Sequence, residues 1–247
     1  MSKRVALVTG GIGGIGTAIC RKLADQGLTV VANHLPAEQE LAESWQQAER
    51  EKGLEFALAA GNVADFADSR HMVQKVEAEV GPVDVLVNCA GITRDKSFRK
   101  MEPEQWRAVI ETNLFSVFNV SKQVVEGMTS RGWGRIINIS SVNGQQGQFG
   151  QTNYSAAKAG AHGFTMALAR ETAAKGVTVN TVSPGYVETA MTASMGEEIL
   201  AQIVASVPIG RMGRPDEVAA CVAFLASEDA AYITGTDLSV NGGFRMG

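Results

Sequence analysis

Seven short, nearly apolar runs alternate along this chain with longer segments in which apolar residues recur at helical spacing. Strands that are apolar throughout are covered on both faces, and alternation of strands with helices is typical of a parallel sheet. Right-handed crossovers place the helices on both faces. The sequence therefore predicts an α/β fold with a doubly wound, seven-stranded, mostly parallel sheet. The predicted strands are 5–9, 29–33, 55–61, 83–89, 134–140, 177–183 and 237–241.

The segments between the strands predict helices, and the length predicts one domain. At 247 residues the chain suits a single α/β domain spanning 1–247. The segment 186–212 holds several glycines, methionines and a short amphipathic piece, so it is predicted to be a substrate loop over a binding site. Helices are predicted at 14–26, about 37–52, 68–80, 103–130 in two pieces, 154–175 and 215–226.

Composition excludes several classes of function. The net charge of −4 disfavours a broad nucleic-acid-binding face. The three cysteines are far apart, and no Cys or His lies at metal-ligand spacing, so reduced core thiols and no metal site are expected. The apolar run before the first glycines is too short for a signal peptide or a membrane span. A cytoplasmic location without a membrane partner is the resulting expectation.

A glycine-rich stretch, VALVTGGIGGIGTAIC, follows the first strand and opens the first helix. Glycines in this setting let the backbone approach phosphate oxygens, and the helix N-terminus adds free N–H groups. A nucleotide-binding, Rossmann-type loop is the interpretation, and a tight glycine turn without a ligand is the alternative. Two registers fit: G-x-G-x-x-G through Gly11, Gly13 and Gly16, or T-G-x-x-x-G-x-G through Thr9, Gly10, Gly14 and Gly16.

The end of the second strand bears on which dinucleotide binds. An NAD-selective site usually has an acidic residue there to hold the ribose hydroxyls. Here the strand ends in Asn33 and His34, and the first acid is Glu38. Without a carboxylate to repel a 2′-phosphate, NADPH (NADP⁺) is the favoured cofactor. His34 is a possible phosphate donor or simply a solvated surface residue.

Three side chains later in the chain suggest acid–base chemistry. Tyr154 and Lys158 are four residues apart where a helix is predicted, so they share one face. A nearby ammonium stabilises a phenolate and would lower the tyrosine pKa toward neutrality, where the hydroxyl can exchange a proton with an alkoxide. Ser141 ends a strand at the edge where such sheets hold ligands, and it could polarise a carbonyl. Taken singly, these residues read as a turn serine and a surface pair.

In combination, these residues make the chain resemble the short-chain dehydrogenase/reductase family. The second glycine register, a serine thirteen positions before Tyr-x-x-x-Lys, and further short motifs carry the resemblance over most of the chain. It implies that Tyr154 is the acid/base, that Ser141 positions the carbonyl, and that Lys158 binds the nicotinamide ribose. It also implies that Asn113 holds a water in a proton relay. The motifs are residues 9–16, 88–91, Asn113, Ser141, 154–158 and 184–185.

The resemblance further implies a set of cofactor contacts. Asn62 and Val63 would meet the adenine, and Thr189 the carboxamide. Two departures stand out: Cys89 replaces the family's usual second asparagine, and Gly13 occupies a place where many NADPH-dependent members have a basic residue. The full cofactor set is Gly10, Gly13, Gly14, Ile15, Gly16, Asn33, His34, Asn62, Val63, Asn88, Ala90, Gly91, Tyr154, Lys158, Pro184, Gly185, Val187 and Thr189.

Within the family the chain most resembles bacterial reductases of acetoacetyl-CoA. That resemblance implies NADPH-dependent formation of (R)-3-hydroxybutyryl-CoA, a monomer of polyhydroxybutyrate, by a homotetramer with the region 234–243 near an interface. Amide side chains and aromatic rings suit a pantetheine arm and a short acyl chain. A glutamine-rich polar turn is the plainer alternative. The implied substrate residues are Asp95, Ser141, Gln148, Phe149, Gln151, Tyr154 and Tyr186.

Other functions remain open at this point. A 3-oxoacyl carrier-protein reductase, or another ketoreductase, would share every catalytic residue and differ in the acyl carrier. A non-enzymatic dinucleotide sensor would need the glycine loop but not the Ser/Tyr/Lys set. The run TRDKSFRKM (93–101) holds four cations that could meet CoA phosphates or could be a solvated basic loop.

Overall fold

A computed structural model describes residues 3–189, 192 and 196–246 of the chain. Its strands form one seven-stranded sheet in the order β3-β2-β1-β4-β5-β6-β7, and every neighbouring pair is parallel. The predicted α/β, doubly wound architecture is confirmed. The strands are β1 Val5–Val8, β2 Thr29–His34, β3 Ala57–Ala60, β4 Val83–Asn88, β5 Gly134–Ile139, β6 Val177–Pro184 and β7 Asp237–Val240.

Helices connect successive strands. The region 103–131 forms two helices, as predicted, and they are joined by a π-helical turn at Glu111–Phe115. The helices are α1 Gly14–Asp25, α2 Gln39–Arg50, α3 Phe66–Glu79, α4 Pro103–Ile110, α5 Ser116–Arg131, α6 Val142–Gln146, α7 Thr152–Thr172, α8 Glu197–Ser206 and α9 Pro215–Ala226. Single 3₁₀ turns lie at Pro36–Glu38, Phe98–Lys100, Ala173–Lys175 and Glu228–Ala230.

The strands are apolar throughout because both faces of the sheet are covered. Along β1, Ala6 and Val8 point into one hydrophobic cluster, while Val5 and Leu7 point into the other. Successive strand residues face opposite sides, so a continuous apolar run supplies both cores. The first cluster packs on α1 and α9, and the second on α3 and α5.

Two helices were not among the sequence predictions. The five residues of α6 are too few to show helical periodicity, and α8 lies inside the segment 186–212, which was predicted as a loop. Residues 190, 191 and 193–195 of that segment lie outside the described residues. Its description as a substrate segment, like the single domain, stays a prediction.

The strand order places the site. The order changes direction between β1 and β4, so the loops that follow these two strands separate and leave a crevice at the carboxyl edge of the sheet. The glycine loop follows β1, residues 88–91 end β4, and Ser141 follows β5. Predicted site residues from distant parts of the chain therefore come to one edge.

Two searches of the described residues bear on other classes of protein. None of the helices in the described part of the chain is both long and apolar enough to cross a membrane. Within the same residues, no group of three or more His, Cys, Asp or Glu side chains is arranged to hold a metal ion.

Candidate active site

The glycine loop is fixed to the neighbouring loop by Thr9 and Gly10. The Thr9 hydroxyl accepts hydrogen bonds from the backbone N–H groups of Cys89 (2.9 Å) and Ala90 (3.1 Å). Gly10 has a φ of +61° and lies so close to Ala90 that a Cβ would meet the Ala90 Cα at 3.0 Å. Both constraints require glycine, and together they hold the ends of β1 and β4 against each other.

The start of α1 is open to a ligand. Gly13, the N-cap residue, is exposed and supplies no side-chain hydrogen bond to the first turn. The N–H groups of that turn are therefore available for phosphate oxygens. Gly14 lies against Thr189, since a Cβ there would meet the Thr189 Cγ2 at 3.2 Å. Ile15 packs its side chain on the hydrophobic core, which leaves its backbone for a cofactor contact.

The sequence argument placed Asn33 at the cofactor ribose, whereas in the structure its side chain is buried and hydrogen-bonded within the protein. Its Oδ1 accepts from the Gly10 N–H (3.2 Å), and its Nδ2 donates to the carbonyls of Ala59 (3.1 Å) and Gly61 (3.0 Å). It is 2% exposed. Because β2 extends through His34 and is covered on both faces, this side chain joins the glycine loop to β3.

His34 is also buried, so the alternative of a solvated surface histidine is wrong. Its side chain is 2% exposed, and its Nδ1 lies 2.9 Å from the Leu35 carbonyl oxygen. Its Nε2 is buried and has no partner among the described residues. The first exposed residues after β2 are Leu35, Pro36 and Ala37.

The loop after β3 carries the pair predicted to meet adenine. Asn62 is exposed, its N–H donates to Asp68 Oδ2 (2.7 Å), and its own Oδ1 accepts from the Ala64 N–H (3.1 Å). The Val63 carbonyl accepts from Asn119 Nδ2 at 3.0 Å, which ties this loop to α5. The loop is thus held at the carboxyl edge by its own hydrogen bonds.

Asn88 lies below the crevice rather than in it. Its Nδ2 donates to Asn138 Oδ1 (2.8 Å) and Ser121 Oγ (3.2 Å), and Asn138 in turn donates to Thr165 Oγ1 (2.8 Å). This buried chain of polar side chains crosses from β4 to α5, β5 and α7. The side chain of Asn88 therefore fixes the strand ends, and a cofactor contact there would come from its backbone.

Gly91 lies between two polar groups of the predicted site. A Cβ on Gly91 would meet Asn113 Oδ1 at 2.5 Å and Lys158 Nζ at 3.5 Å. Asn113 is buried in the π-helical turn, and its Nδ2 donates to the carbonyls of Ile92 and Val109, both at 2.9 Å. Its Oδ1 has no partner among the described residues. A buried acceptor of this kind requires a donor, and a water molecule is the usual one.

Ser141, Tyr154 and Lys158 come together above β5. Ser141 is the N-cap of α6, and the interaction of its hydroxyl with the Tyr154 phenol lowers the pKa of that phenol. Lys158 Nζ lies 5.6 Å from the centre of the Tyr154 ring and donates to the Ile139 carbonyl at 2.7 Å. The lysine is 4% exposed, and the predicted helical pairing of Tyr154 with Lys158 is present at the start of α7.

The pKa of Tyr154 differs from the expectation. Burial raises it to about 12, while the Ser141 hydrogen bond opposes the shift and the charge of Asp95 adds to it. Burial also lowers the pKa of Lys158 to about 8. The ammonium donates to the Ile139 carbonyl, and desolvation by burial is the largest influence on the pKa of this tyrosine. In this state of the protein Tyr154 is a protonated donor at neutral pH.

Five of the seven predicted substrate residues line one cavity of about 370 Å³, and Ser141 and Tyr154 are not among its lining residues. Phe149 is 87% exposed, and Tyr186 packs edge-on against Phe244 with ring centres 5.5 Å apart. The far wall comes from α8, which the sequence argument did not assign. The lining residues are Asp95, Asn143, Gln148, Phe149, Gln151, Tyr186, Ile199, Gln202, Ile203 and Ser206.

The segment after β6 connects the cavity to the glycine loop. The Gly185 N–H donates to the Val240 carbonyl (2.9 Å), and Gly185 directly follows Pro184, the last residue of β6. Val187 is 5% exposed and belongs to the hydrophobic core. Its neighbour Thr189 then reaches Gly14, so this segment closes one side of the crevice.

Comparison with known proteins gives the family. The family model described as short chain dehydrogenase matches residues 4–200, well over half of the chain. This chain belongs to the short-chain dehydrogenase family. The resemblance drawn from the glycine register and the Ser/Tyr/Lys spacing is therefore confirmed.

Similar members of the short-chain dehydrogenase family are reductases by name. The chain is 61% identical to an acetoacetyl-CoA reductase of Allochromatium vinosum, over 98% of this chain and 99% of that protein. It is 57% identical to an acetoacetyl-CoA reductase of Cupriavidus necator over the whole of both chains. It is 48% identical to the 3-oxoacyl-[acyl-carrier-protein] reductase FabG of Escherichia coli, over 98% of each.

Membership of the short-chain dehydrogenase family implies a nicotinamide dinucleotide cofactor, and the crevice fits one. The first turn of α1 is uncapped by any side chain, which suits phosphates. Gly91 leaves open the space that a Cβ would fill beside Asn113 and Lys158. The buried, unpartnered Oδ1 of Asn113 marks where a further donor belongs.

Sequence reasoning missed several residues of this site. Asn153 is fully buried; its Oδ1 accepts from the Tyr154 N–H (2.8 Å), and its Nδ2 donates to the carbonyls of Arg94 (3.2 Å) and Gln105 (3.3 Å). Its place directly before Tyr154 was the available signal. Asn143 was also missed, and only its position two residues after Ser141 could have suggested it.

Proposed function

We propose that this protein reduces acetoacetyl-CoA to 3-hydroxybutyryl-CoA with a reduced nicotinamide dinucleotide. The observation that carries the proposal is that Ser141, Tyr154 and Lys158 come together next to a cavity. The residues that line this cavity include Asp95, Gln151 and Tyr186. The full-length similarity to acetoacetyl-CoA reductases supports the same substrate. The (R) configuration of the product, and a role in polyhydroxybutyrate synthesis, follow from the resemblance alone.

Each residue of the set has a distinct task in this reaction. The dinucleotide, when bound, supplies a hydride to the carbonyl carbon. Ser141 donates a hydrogen bond to the ketone oxygen and holds it beside the Tyr154 hydroxyl. As negative charge develops on that oxygen, Tyr154 transfers its proton to it. The raised pKa of Tyr154 keeps that proton in place until the carbonyl oxygen becomes the stronger base.

Reprotonation of Tyr154 involves Lys158 and Asn113. The cationic Lys158 would hold the nicotinamide ribose and stabilise a transient phenolate. The unpartnered Asn113 Oδ1, which adjoins Lys158 across Gly91, would hold a water that returns protons from solvent. These roles are part of the proposal, and they agree with the burial of both side chains.

NADPH is the expected form of the cofactor, because the exposed residues that follow β2, Leu35 to Ala37, include no carboxylate that would repel a 2′-phosphate. Its positive partner is absent from the nearby sequence, however, since no lysine or arginine occurs between Lys22 and Arg50. The nearest acid, Glu38, accepts from the Leu35 N–H at 3.3 Å. A site with neither charge at this point gives a modest preference for NADPH, and the ratio of kcat/KM for NADPH and NADH measures it.

Basic residues near the cavity suit the CoA phosphates. Lys96, Arg99 and Lys100 are exposed and follow Asp95, which lines the cavity. The Lys96 N–H donates to the Gly150 carbonyl at 2.9 Å, and this bond joins the basic loop to the turn that carries Phe149. We propose that this loop meets the phosphates, while the cavity takes the pantetheine arm.

A second function shares the chemistry. The 48% identity to a 3-oxoacyl-[acyl-carrier-protein] reductase makes a carrier-protein thioester the alternative substrate. Steady-state kinetics with acetoacetyl-CoA and with the matching carrier-protein thioester separate the two. A kcat/KM that is higher for the CoA thioester supports the proposal, and a higher value for the carrier protein favours the alternative. Absence of nicotinamide oxidation with either thioester would overturn the enzyme assignment.

Two further properties belong to the proposal through the resemblance. They are a homotetrameric assembly and a cytoplasmic location. Sedimentation of the purified protein tests the first, and fractionation of the source cells tests the second.

A further inference from the structure

We propose that Asn143 is a substrate-recognition residue: its Oδ1 accepts a hydrogen bond from an amide N–H of the pantetheine arm, and Asp95 orients it through Gln151. This inference rests on the proposed function, because it assumes that the cavity takes a 3-oxoacyl thioester. It assigns a contact to a side chain that the sequence argument left out.

The three side chains form one directed chain of hydrogen bonds. Gln151 Nε2 donates to Asp95 Oδ2 at 2.7 Å, and Asn143 Nδ2 donates to Gln151 Oε1 at 2.9 Å. A carboxylate can only accept, so Asp95 forces Gln151 to present its nitrogen on that side. Gln151 must then present its oxygen to Asn143, which fixes the amide of Asn143 in turn. The charge of Asp95 thus decides which amide atom of Asn143 is left without a partner within the protein.

The atom that Asn143 offers is an acceptor without a donor. Asn143 is 9% exposed and lines the cavity, and its Oδ1 has no partner among the described residues. An unpaired buried acceptor is unfavourable, so a donor from the substrate is favoured at this point. The orientation of this acceptor is fixed, since the same side chain donates through its Nδ2 to Gln151.

The chemistry of the substrate narrows the donor. The ketone and the thioester carbonyl of an acetoacetyl thioester are acceptors, and the sulfur is a weak acceptor at best. The first N–H group beyond the sulfur belongs to the amide of the pantetheine arm. Asn143 also donates its backbone N–H to Ser141 Oγ at 3.1 Å. One residue therefore adjoins the group that holds the ketone and offers an acceptor to the arm that follows.

Three substrates distinguish the loss of this hydrogen bond from a non-specific loss of activity. Acetoacetyl-CoA and the acetoacetyl thioester of N-acetylcysteamine carry the amide N–H, while ethyl acetoacetate does not. For Asn143→Leu we expect roughly a tenfold loss of kcat/KM with both thioesters, the effect of one hydrogen bond, and little change with the ester. Gln146→Leu is the matched control, because Gln146 is exposed on the same short helix and is absent from the cavity wall.

Asp95→Asn tests the positioning role. It keeps the size of the side chain and removes the charge that orients Gln151. Because that charge also acts on Tyr154, all three substrates can respond, and we expect the loss with the two thioesters to exceed any change with the ester. A change in the thioester-to-ester ratio is a readout that a merely structural role would not move. Where the ester turns over too slowly for kinetics, its competitive inhibition constant against acetoacetyl-CoA gives the same comparison.

The outcomes are distinct. An Asn143→Leu variant whose ratio of thioester to ester activity equals that of the wild type would overturn the inference, as would an equal loss with all three substrates. Asn143→Ala repeats the test should the leucine variant fold poorly. If the wild-type protein reduces neither thioester, the proposed function itself is wrong.

Discussion

The Asn33 side chain stabilises the fold by joining the glycine loop to β3. Its amide nitrogen donates to two carbonyl oxygens, of Ala59 and Gly61, and its oxygen accepts from Gly10. An aspartate at this position would place a carboxylate against those carbonyls and leave them unpaired. The sequence argument alone expects Asn33→Asp to shift cofactor preference toward NADH, and the structure changes that expectation.

For Asn33→Asp we now expect lower stability, by about 1–3 kcal/mol, and weaker binding of NADPH and NADH alike, because the glycine loop loses its anchor. Thermal melting and equilibrium binding of both dinucleotides measure the two effects. If the variant keeps its stability and its cofactor preference shifts clearly toward NADH, then Asn33 contacts the ribose after all.

In the proposed reaction, turnover depends on the Tyr154 hydroxyl. Tyr154→Phe removes the proton donor and keeps the ring, so we expect turnover to fall by roughly 10²–10⁴ while dinucleotide affinity changes little. Stopped-time assays with acetoacetyl-CoA measure the turnover, and fluorescence titration with NADPH measures the dinucleotide affinity. Near wild-type turnover in this variant would contradict the role of the hydroxyl.

If Lys158 binds the nicotinamide ribose as proposed, its lowered pKa predicts a pH limit on cofactor binding. Its pKa is about 8, and its neighbours Cys89 and Tyr154 titrate well above this, at about 11 and about 12. The pKa of His162, on the next turn of α7, is lowered by burial, so this side chain is already neutral there. Lys158 is therefore the group that changes charge near pH ~8, and it is cationic below that value.

We expect dinucleotide affinity to fall as pH rises through the Lys158 pKa, since the ammonium that would bind the ribose becomes neutral. Titrations of NADPH binding from neutral to alkaline pH test this. Lys158→Met, which keeps the length of the side chain without its charge, should bind more weakly and lose the pH dependence. The same alkaline decline in the methionine variant would assign it to another group.

The meeting of Ser141, Tyr154 and Lys158 could be predicted because their spacing along the chain determines their relative positions in the fold. Four residues on a helix define a face, and a residue after a strand defines an edge. Asn33 and Asn88 show the limit of such reasoning. Whether their side chains point into the crevice or into the packed layers depends on where each strand ends and on partners such as Asn138, which no local pattern contains.

At the scale of elements, the long periodic helices and apolar strands were predicted, while α6 and α8 were not. One is five residues long, and the other adjoins a segment rich in glycine and methionine. Both nevertheless form walls of the substrate cavity. Predicted acyl-site residues therefore came only from the loops that carry them, and Ile199, Gln202 and Ile203 became visible only through tertiary packing.

The basic loop gives a prediction at the same scale. The double variant Arg99→Gln, Lys100→Gln removes two exposed cations within the 3₁₀ turn Phe98–Lys100, and neither residue lines the cavity. We expect a higher KM for acetoacetyl-CoA at low salt, with kcat nearly unchanged, and a smaller effect as salt screens the charges. The N-acetylcysteamine thioester, which has no phosphates, is the control. An unchanged KM at low salt would make this a solvated loop.

At the scale of the whole molecule, the fold follows from the apolar strands. Each strand of β1, β4 and β5 supplies residues to both hydrophobic clusters, so neither face of the sheet can be left uncovered. That requirement, with the alternation of elements and right-handed crossovers, leaves few topologies. The oligomeric state cannot be predicted in this way, because it depends on surface residues and not on the apolar pattern of the strands and helices that form the core.

The surface of α5 and the turn before it carries aromatic residues that a monomer would leave in water. Phe115 and Phe118 are 52% and 50% exposed and lie three residues apart on one face. Phe118 also stacks on Phe66, with ring centres 6.0 Å apart. A contiguous exposed patch of this kind marks an interaction surface. We therefore expect it to be covered in the proposed homotetramer, in which four chains of 26.1 kDa associate.

Phe118→Lys should weaken that association by placing a charge in an apolar contact, and we expect sedimentation velocity to show species smaller than the tetramer. Leu41→Lys is the control, because Leu41 is 60% exposed on α2, well separated in sequence from the aromatic patch. The core of α5 is formed by other residues, so the circular dichroism of both variants should match the wild type. A Phe118→Lys protein that sediments as a tetramer would place the subunit contacts elsewhere, and a wild-type monomer would remove the assembly altogether.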